Sequence, residues 1–318
     1  MTKFLDNSIL IIGYGAQAKA WALNFRDSGY AVNIGLRANS QSTQLAREAG
    51  FNVIDLDIDR LDHFQFLCFL TPDNSHNTIL KNISNKLSTA QSLIFAHGFS
   101  VYYEKLDELY PHLNFLLLAP KAIASEVRFN FETKAPLTAV VDETLVTHFK
   151  EETQEAFEKL CKGLGVNIGP IHSSFKEEAE ADLFSEQSIL CSLIPFGARK
   201  SFEKLVQNGI SEEIAYIECW HEVKLIANAM IKIGPQAFFS MISPNALLGG
   251  IKASELIFDK EMDRKLTQLF NDIKSGDFYR QTTHTDFQSL QSTVLNDWEN
   301  TRLQQIYNTL GRELGKNS

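Results

Sequence analysis

Two stretches in the second half of the chain carry pairs of carboxylates spaced four residues apart. Asp182 and Glu186 occur in AEADLFSEQSIL, and Glu218 and Glu222 occur in IECWHEVKLIANAM. Residues four apart lie one above the other on a helix, so both members of a pair can point at one ion. Carboxylate oxygens are the ligands that Mg²⁺ prefers. Four acids on two helices therefore predict a site for two divalent ions.

The alternative for either pair alone is a solvated helix face, which is the usual reason for grouped acids. Three glutamates that precede the first pair look like such a solvated cluster: Glu177, Glu178 and Glu180. For one pair in isolation we favour the solvated face. His221 stands beside Glu222, but neighbouring positions do not share a helix face, so we leave it out of the site.

A glycine-rich turn follows the first apolar run and opens a helical stretch, with the residues Gly13, Tyr14, Gly15, Ala16, Gln17 and Ala18. Gly13 permits a tight turn, Gly15 lets the backbone approach a pyrophosphate, and Ala18 lets the helix pack on the strand. A diphosphate would bind at the helix N-terminus, where free N–H groups favour an anion. The turn predicts a dinucleotide cofactor; the alternative is a glycine-rich turn without a ligand.

The end of the second apolar run indicates which dinucleotide is bound. An acid at this point suits the ribose 2′-OH of NAD, whereas an arginine suits a 2′-phosphate. Here the run ends in Arg37, followed by Ser40 and Ser42, and no carboxylate appears before Glu48. A guanidinium and two hydroxyls can surround a phosphate. We predict NADPH rather than NADH; the alternative is an ordinary surface arginine in a solvated loop.

Charge and cysteine content limit the class of protein. The 318 residues carry a formal net charge of -9, from 30 Lys and Arg against 39 Asp and Glu, which argues against nucleic acid as a partner. The four cysteines are scattered without a C-x-x-C pair. This predicts neither disulfides nor zinc, and it favours a reducing cytoplasm. Since no run of about 18 apolar residues occurs, we expect neither a membrane span nor a targeting segment.

The pattern of the chain changes near residue 173. Before it, short apolar runs such as SILIIGYG, YAVNIGLR and NFLLLAPK alternate with amphipathic stretches. This alternation predicts a mainly parallel, doubly wound sheet of Rossmann type, with strands buried on both faces. Beyond residue 173, helical spacing predicts an all-α region. We therefore predict an α/β NADPH-binding domain over 1–173 and an α-helical metal and substrate domain over 174–318.

Several separated motifs give the chain a family resemblance. At GYGAQAKAWALNFRDSGYAVNIGLR, FAHGF, LAPK, SFKEEAEADLFSEQSILC, ECWHEVKLI and DIKSGDF, in collinear order, it closely resembles ketol-acid reductoisomerase, also called acetohydroxyacid isomeroreductase. The resemblance implies the short form of that family: a Rossmann-type N-terminal domain, a knotted α-helical C-terminal domain, and homodimers or larger oligomers in which both chains complete each active site.

The resemblance also implies a reaction. Enzymes of this family act on 2-acetolactate or its ethyl homologue in the biosynthesis of valine and isoleucine, where two Mg²⁺ ions drive an alkyl migration and NADPH reduces the resulting ketone. By matching motif, Asp182 would bridge the metals and Glu186 would hold one of them. Glu218 and Glu222 would face the second metal and the substrate, from the partner subunit.

Three further residues take roles from the same resemblance. Lys121 in LAPK and His97 in FAHGF match the active-site lysine and histidine of the family. Ser243 in MISPN matches the serine that contacts the substrate carboxylate. Without the resemblance we would interpret Lys121 as a surface lysine and His97 as a strand-end histidine satisfied by backbone.

The departures from the family pattern lie mainly around the substrate. Where the family reads S-N-T-A-E-Y-G, this chain has Pro244, Leu247 and Leu248 after its serine. We expect a differently shaped loop and a more apolar or larger substrate than acetolactate. Two alternatives stay open: an NADPH-dependent reductase of 2-keto acids that lacks the migration step, and a non-catalytic NADPH-binding scaffold.

Overall fold

The computed structural model describes residues 7–89 and 91–315. The chain divides into two compact units, Met1–Ala179 and Glu180–Ser318. The change of sequence pattern after residue 173 falls a few residues before this division.

The first unit is built on one sheet. Eight strands of the described residues form it: β1 Ser8–Ile12, β2 Ala31–Leu36, β3 Asn52–Asp55, β4 Phe66–Phe69, β5 Ser92–Phe95, β6 Asn114–Pro120, β7 Thr138–Asp142 and β8 Ile168–His172. Their spatial order is β3-β2-β1-β4-β5-β6-β7-β8. Neighbours are parallel except β6 and β7, which are antiparallel. The predicted doubly wound, mainly parallel sheet is confirmed.

Helices cover both faces of this sheet. Their bounds are α1 Ala16–Asp27, α2 Ser42–Glu48, α3 His76–Ile83, α4 Phe99–Glu104, α5 Leu106–Leu109, α6 Ala124–Thr133, α7 Lys150–Leu164 and α8 Phe175–Ser185, with short 3₁₀ turns at Asp73–Ser75 and Ser84–Lys86. Successive strand residues point to opposite faces. Thus Ile9 packs in one core with Trp21 and Phe25, whereas Leu10 packs in the other with Phe95.

The expectation that every strand is buried on both faces is wrong at the edge of the sheet. Four of the five residues of β8 are exposed, and the side chains of Ile168 and Ile171 are each 55% exposed. Among the described strands, β8 pairs only with β7. An apolar run in the sequence does not distinguish an edge strand from a central one.

The second unit is helical, as predicted. Its helices are α9 Leu193–Gln207, α10 Glu212–Tyr216, α11 Glu222–Ile233, α12 Pro235–Met241, α13 Pro244–Ile257, α14 Lys260–Lys274, α15 Asp277–His284, α16 Phe287–Glu299, α17 Arg302–Ile306 and α18 Arg312–Gly315, with π-helical turns at Glu186–Leu190, Ile217–His221 and Tyr307–Gly311. One cluster of buried residues described in it consists of Phe202, Ala215, Tyr216 and Leu303. None of the helices described has the length and apolar character needed to cross a membrane.

Candidate functional site

The glycine turn after β1 has the geometry of a phosphate-binding turn. Gly13 has φ +102°, and a Cβ there would lie 2.8 Å from Thr71 Cγ2 and 3.0 Å from the Leu70 carbonyl oxygen, so only glycine fits. By contrast, nothing lies within 4 Å of a Cβ built on Gly15, the N-cap of α1, whose first turn holds no acidic residue. The first N–H groups of an α-helix have no partner within the helix, so open space at its N-terminus suits a diphosphate.

The side chains around this turn are held by protein contacts. Ala18 is fully buried, and the Tyr14 ring, 7% exposed, packs edge-on against Phe51. The Gln17 amide donates to the carbonyl oxygen of Ala122 at 3.2 Å, while Ala16 is exposed. A role for Tyr14, Ala16 and Gln17 in cofactor binding stays a prediction.

The structure brings the three predicted 2′-phosphate residues together. Arg37, Ser40 and Ser42 line one cavity of about 580 Å³ just beyond the end of β2. A tight turn holds them, in which the Ser40 N–H donates to the Arg37 carbonyl at 3.2 Å and the Ser42 N–H donates to Ser40 Oγ at 3.4 Å. The same cavity is lined by Asp57, from the segment after β3. Sequence reasoning missed this acid because it considered only the second strand.

A second group of polar residues lies beyond the ends of β5 and β6. The Glu178 carboxylate accepts hydrogen bonds from the Lys121 ammonium and from the Gly98 N–H, each at 2.6 Å. Glu178 is 3% exposed, so its interpretation as part of a solvated cluster is wrong. Glu178 is buried because of Phe175, three residues earlier. Phe175 packs in the core on one face of the sheet and anchors the first turn of α8 against that core. The neighbouring Glu177 is exposed.

His97 lies between two carboxylates. Its Nδ1 is 3.8 Å from Asp73 Oδ2, and its Nε2 is 3.8 Å from Glu178 Oε2. Burial acts to raise the pKa of Asp73, but the hydrogen bond from His97 and the adjacent imidazoles outweigh it, so that pKa lies below its ordinary value. The structure therefore brings the two predicted residues His97 and Lys121 to one buried acid, Glu178.

The two carboxylate pairs border π-helical turns instead of lying on continuous α-helices. Asp182 is on α8 and Glu186 begins the turn Glu186–Leu190; Glu218 is in the turn Ile217–His221, and Glu222 begins α11. Such turns often occur at functional sites. Asp182 and Glu222 are half-buried, and Glu186 and Glu218 are exposed. Within residues 7–89 and 91–315, no cluster of three potential metal ligands includes Glu186, Glu218 or Glu222.

Ser243 begins a helix. It is exposed, has an extended backbone (φ -63°, ψ 154°), and its Oγ accepts the Ala246 N–H at 3.2 Å as the N-cap of α13. Pro244 occupies the first helical position, where proline's missing N–H is harmless. The expected loop is therefore a helix, and Leu247 and Leu248 are exposed on it, by 39% and 58%.

A larger cavity of about 1030 Å³ lies between α6, α7 and β8. None of the residues that the sequence singled out lines it, and side chains of both charges surround it, including Arg128, Lys162 and Glu143. Size alone therefore does not identify the site.

Comparison with known proteins identifies relatives of both parts of the chain. Residues 3–169 match the profile described as acetohydroxy acid isomeroreductase, NADPH-binding domain, and residues 175–317 match that of the ketol-acid reductoisomerase C-terminal domain. A ketol-acid reductoisomerase (NADP(+)) of Sulfurisphaera tokodaii is 31% identical over 98% of this chain and 91% of its own. One of Helicobacter pylori is 34% identical over 84% and 81%. The structure of an NADH-preferring ketol-acid reductoisomerase from an uncultured archean superposes with a TM-score of 0.84 and 25% identity, covering 96% of this chain and 94% of its own.

Proposed function

The chain belongs to the ketol-acid reductoisomerase family, and on that premise we propose that it converts a 2-acyl-2-hydroxy acid of the 2-acetolactate type into a 2,3-dihydroxy acid. The reaction would proceed by alkyl migration followed by reduction, with NADPH and two Mg²⁺. The observation that carries the proposal is the buried Glu178, bonded to Lys121 and beside His97, in a chain that matches both family domains.

The residues around the glycine turn fit a dinucleotide. The open space at Gly15 leaves room for a diphosphate at the N-terminus of α1, and the cavity with Arg37, Ser40 and Ser42 offers a cation and two hydroxyls to a 2′-phosphate. When bound, NADPH supplies the reducing equivalent and Mg²⁺ polarises the substrate oxygens.

The donor set of the second unit fits Mg²⁺, since all four candidate ligands are carboxylates. Asp182 and Glu186 would hold Mg²⁺ from this chain. Glu218 and Glu222 would serve the second ion and the substrate of the partner subunit, which makes the enzyme a homodimer or a larger homo-oligomer. Large exposed apolar side chains in this unit support a covering partner: Ile231 is 84% exposed and Leu256 is 80% exposed.

Three residues of the first unit would transfer protons and stabilise charge: Lys121, Glu178 and His97. An ammonium at Lys121 would stabilise negative charge on the substrate oxygen when its hydroxyl proton leaves, and Glu178 holds that ammonium in place. His97, with a carboxylate facing each ring nitrogen, is able to take up and release a proton. Ser243 uses its oxygen as a helix cap and keeps its O–H to donate to a substrate carboxylate.

The exposed leucines of α13 support a substrate with a more apolar or larger acyl group than acetolactate. They replace an acid and an aromatic of the family pattern, and an apolar wall disfavours an unpaired polar group on the ligand. The pathway would be branched-chain amino-acid biosynthesis, in the cytoplasm.

One experiment tests the proposal. NADPH oxidation is followed with 2-acetolactate and with 3-hydroxy-3-methyl-2-ketobutyrate, the rearranged intermediate, each with and without Mg²⁺. Mg²⁺-dependent turnover of both supports the isomeroreductase. Turnover of the rearranged intermediate alone supports a reductase that lacks the migration step. NADPH binding without turnover of either compound, or of homologues with longer acyl groups, would indicate a scaffold.

A further inference from the structure

The segment after β3 emerges beside the proposed 2′-phosphate residues. Strands β2 and β3 are parallel, and Leu36 is paired with Asp55. The ladder continues one bond further, since the Leu56 N–H donates to the Leu36 carbonyl at 3.0 Å. Arg37 follows β2 directly and Asp57 is the second residue after β3, so they leave the sheet at the same edge.

Local bonds fix where Asp57 lies. Leu56 is 3% exposed and anchors the segment in the core. The Asp57 N–H donates to Asp55 Oδ1 at 2.9 Å, and the Asp55 N–H donates to Asp59 Oδ2 at 2.7 Å. Asp57 itself is exposed and lines the cavity of Arg37, Ser40 and Ser42.

This cavity therefore contains charges of opposite sign. Both residues line the space proposed for the ribose 2′ substituent, and in the part of the chain that the structure describes no ion pair within 4.0 Å joins Arg37 to Asp57. A guanidinium favours a 2′-phosphate, whereas a carboxylate repels it and accepts a hydrogen bond from a 2′-OH.

We propose that Asp57 is a determinant of cofactor preference. Its carboxylate weakens NADPH binding and supports NADH binding at a site where Arg37 favours NADPH. This inference rests on the proposed function, because it requires a nicotinamide dinucleotide in the first unit. The chain would then use both cofactors, with a selectivity for NADPH well below that which Arg37, Ser40 and Ser42 alone would give.

The test is the substitution Asp57→Asn, with dissociation constants measured for NADPH and NADH by the fluorescence of the reduced nicotinamide. We expect NADPH to bind roughly five-fold more tightly and NADH roughly two-fold more weakly, because one charge near the site changes by one unit. The gain for NADPH should shrink as salt is added, since the site is open to solvent.

Glu48→Gln is the matched control. It removes one unit of the same charge from an exposed position on the neighbouring helix α2, and Glu48 lines neither this cavity nor the adjoining one that Arg37 and Ser40 share with Asp59. An unchanged ratio of the two dissociation constants in Asp57→Asn, or an equal change in both variants, would overturn the inference while leaving the proposed function intact. Wild-type protein that binds neither nucleotide would instead refute the proposed function and the inference with it.

Discussion

Lys121 and Glu178 lie 57 residues apart in the chain, yet the Lys121 ammonium is 2.6 Å from Glu178 Oε1. The pair joins the end of β6 to the first turns of α8, and the second oxygen of Glu178 binds the Gly98 N–H after β5. A buried carboxylate with these two donors is satisfied, and it orders the three segments that meet there.

Substitution of Glu178 should therefore separate the active-site role from a purely structural one. Glu178→Gln keeps the shape but removes the charge that holds Lys121, so we expect kcat to fall by about 10²–10⁴, the usual contribution of a positioned acid–base group. The dissociation constant for NADPH should stay within roughly two-fold of the wild-type value. Glu177→Gln, at an exposed neighbour, is the control; an equal loss there would contradict the assignment.

Gly98 should tolerate no side chain. A Cβ at Gly98 would lie 2.0 Å from the Phe175 carbonyl oxygen, so we expect Gly98→Ala to lower the free energy of unfolding by about 1–3 kcal/mol or more. Urea denaturation followed by circular dichroism measures this. A variant as stable as the wild type would show that α8 can move away from the end of β5 without loss.

Gly15→Ala, unlike Gly98→Ala, should leave the stability nearly unchanged and weaken NADPH binding. Nothing lies within 4 Å of the added methyl group, so the free energy of unfolding should change little. The methyl group would occupy the space proposed for the diphosphate, so the affinity for NADPH should fall by at least about ten-fold. The same two assays serve for both glycine variants, and unchanged NADPH affinity would remove the glycine turn from the cofactor site.

Glu222→Gln tests the proposed metal ligands. Loss of one carboxylate should raise the Mg²⁺ concentration for half-maximal activity and lower turnover of 2-acetolactate by about 100-fold or more, since metal ligands supply both charge and position. Glu213→Gln removes an exposed acid of α10 and should leave the Mg²⁺ dependence unchanged. Undiminished activity of Glu222→Gln would exclude Glu222 from the metal site.

Stability should fall in mild acid because of His76. This residue is 2% exposed, its ring nitrogens contact Ser100 Oγ at 2.7 Å and the Thr71 carbonyl at 3.0 Å, and burial lowers its pKa below 6.5. As pH falls through the interval between 6.5 and the lower folded pKa, the unfolded chain binds more protons and unfolding becomes easier.

The loss should amount to about 1.4 kcal/mol for each unit by which the folded pKa of His76 is lowered. The pKa of Asp73 is also lowered, but its ordinary value is 3.8, so it acts only at lower pH. Between pH 7 and pH 5 the free energy of unfolding should change less steeply in His76→Gln than in the wild type, whereas His112→Gln, at an exposed imidazole, should behave as the wild type does. An equal pH dependence in His76→Gln and the wild type would contradict this origin.

The sequence by itself determined the strands, the glycine turn and the helical second half. The alternation of apolar runs with amphipathic stretches, and the requirement for glycine at Gly13, depend on a few neighbouring residues, so they can be read locally. The grouping of Arg37, Ser40 and Ser42 followed from the same local order, because a single tight turn holds all three.

Only the tertiary structure decided which of three adjacent glutamates is buried. Glu177, Glu178 and Glu180 look alike in sequence, but the anchoring of Phe175 in the core selects Glu178 for contact with Gly98 and Lys121. Likewise, Asp57 lines the same cavity as Arg37 because β3 pairs with β2. Burial and charge environment depend on residues that are distant in the chain, and these become neighbours only when the sheet and its helices have packed.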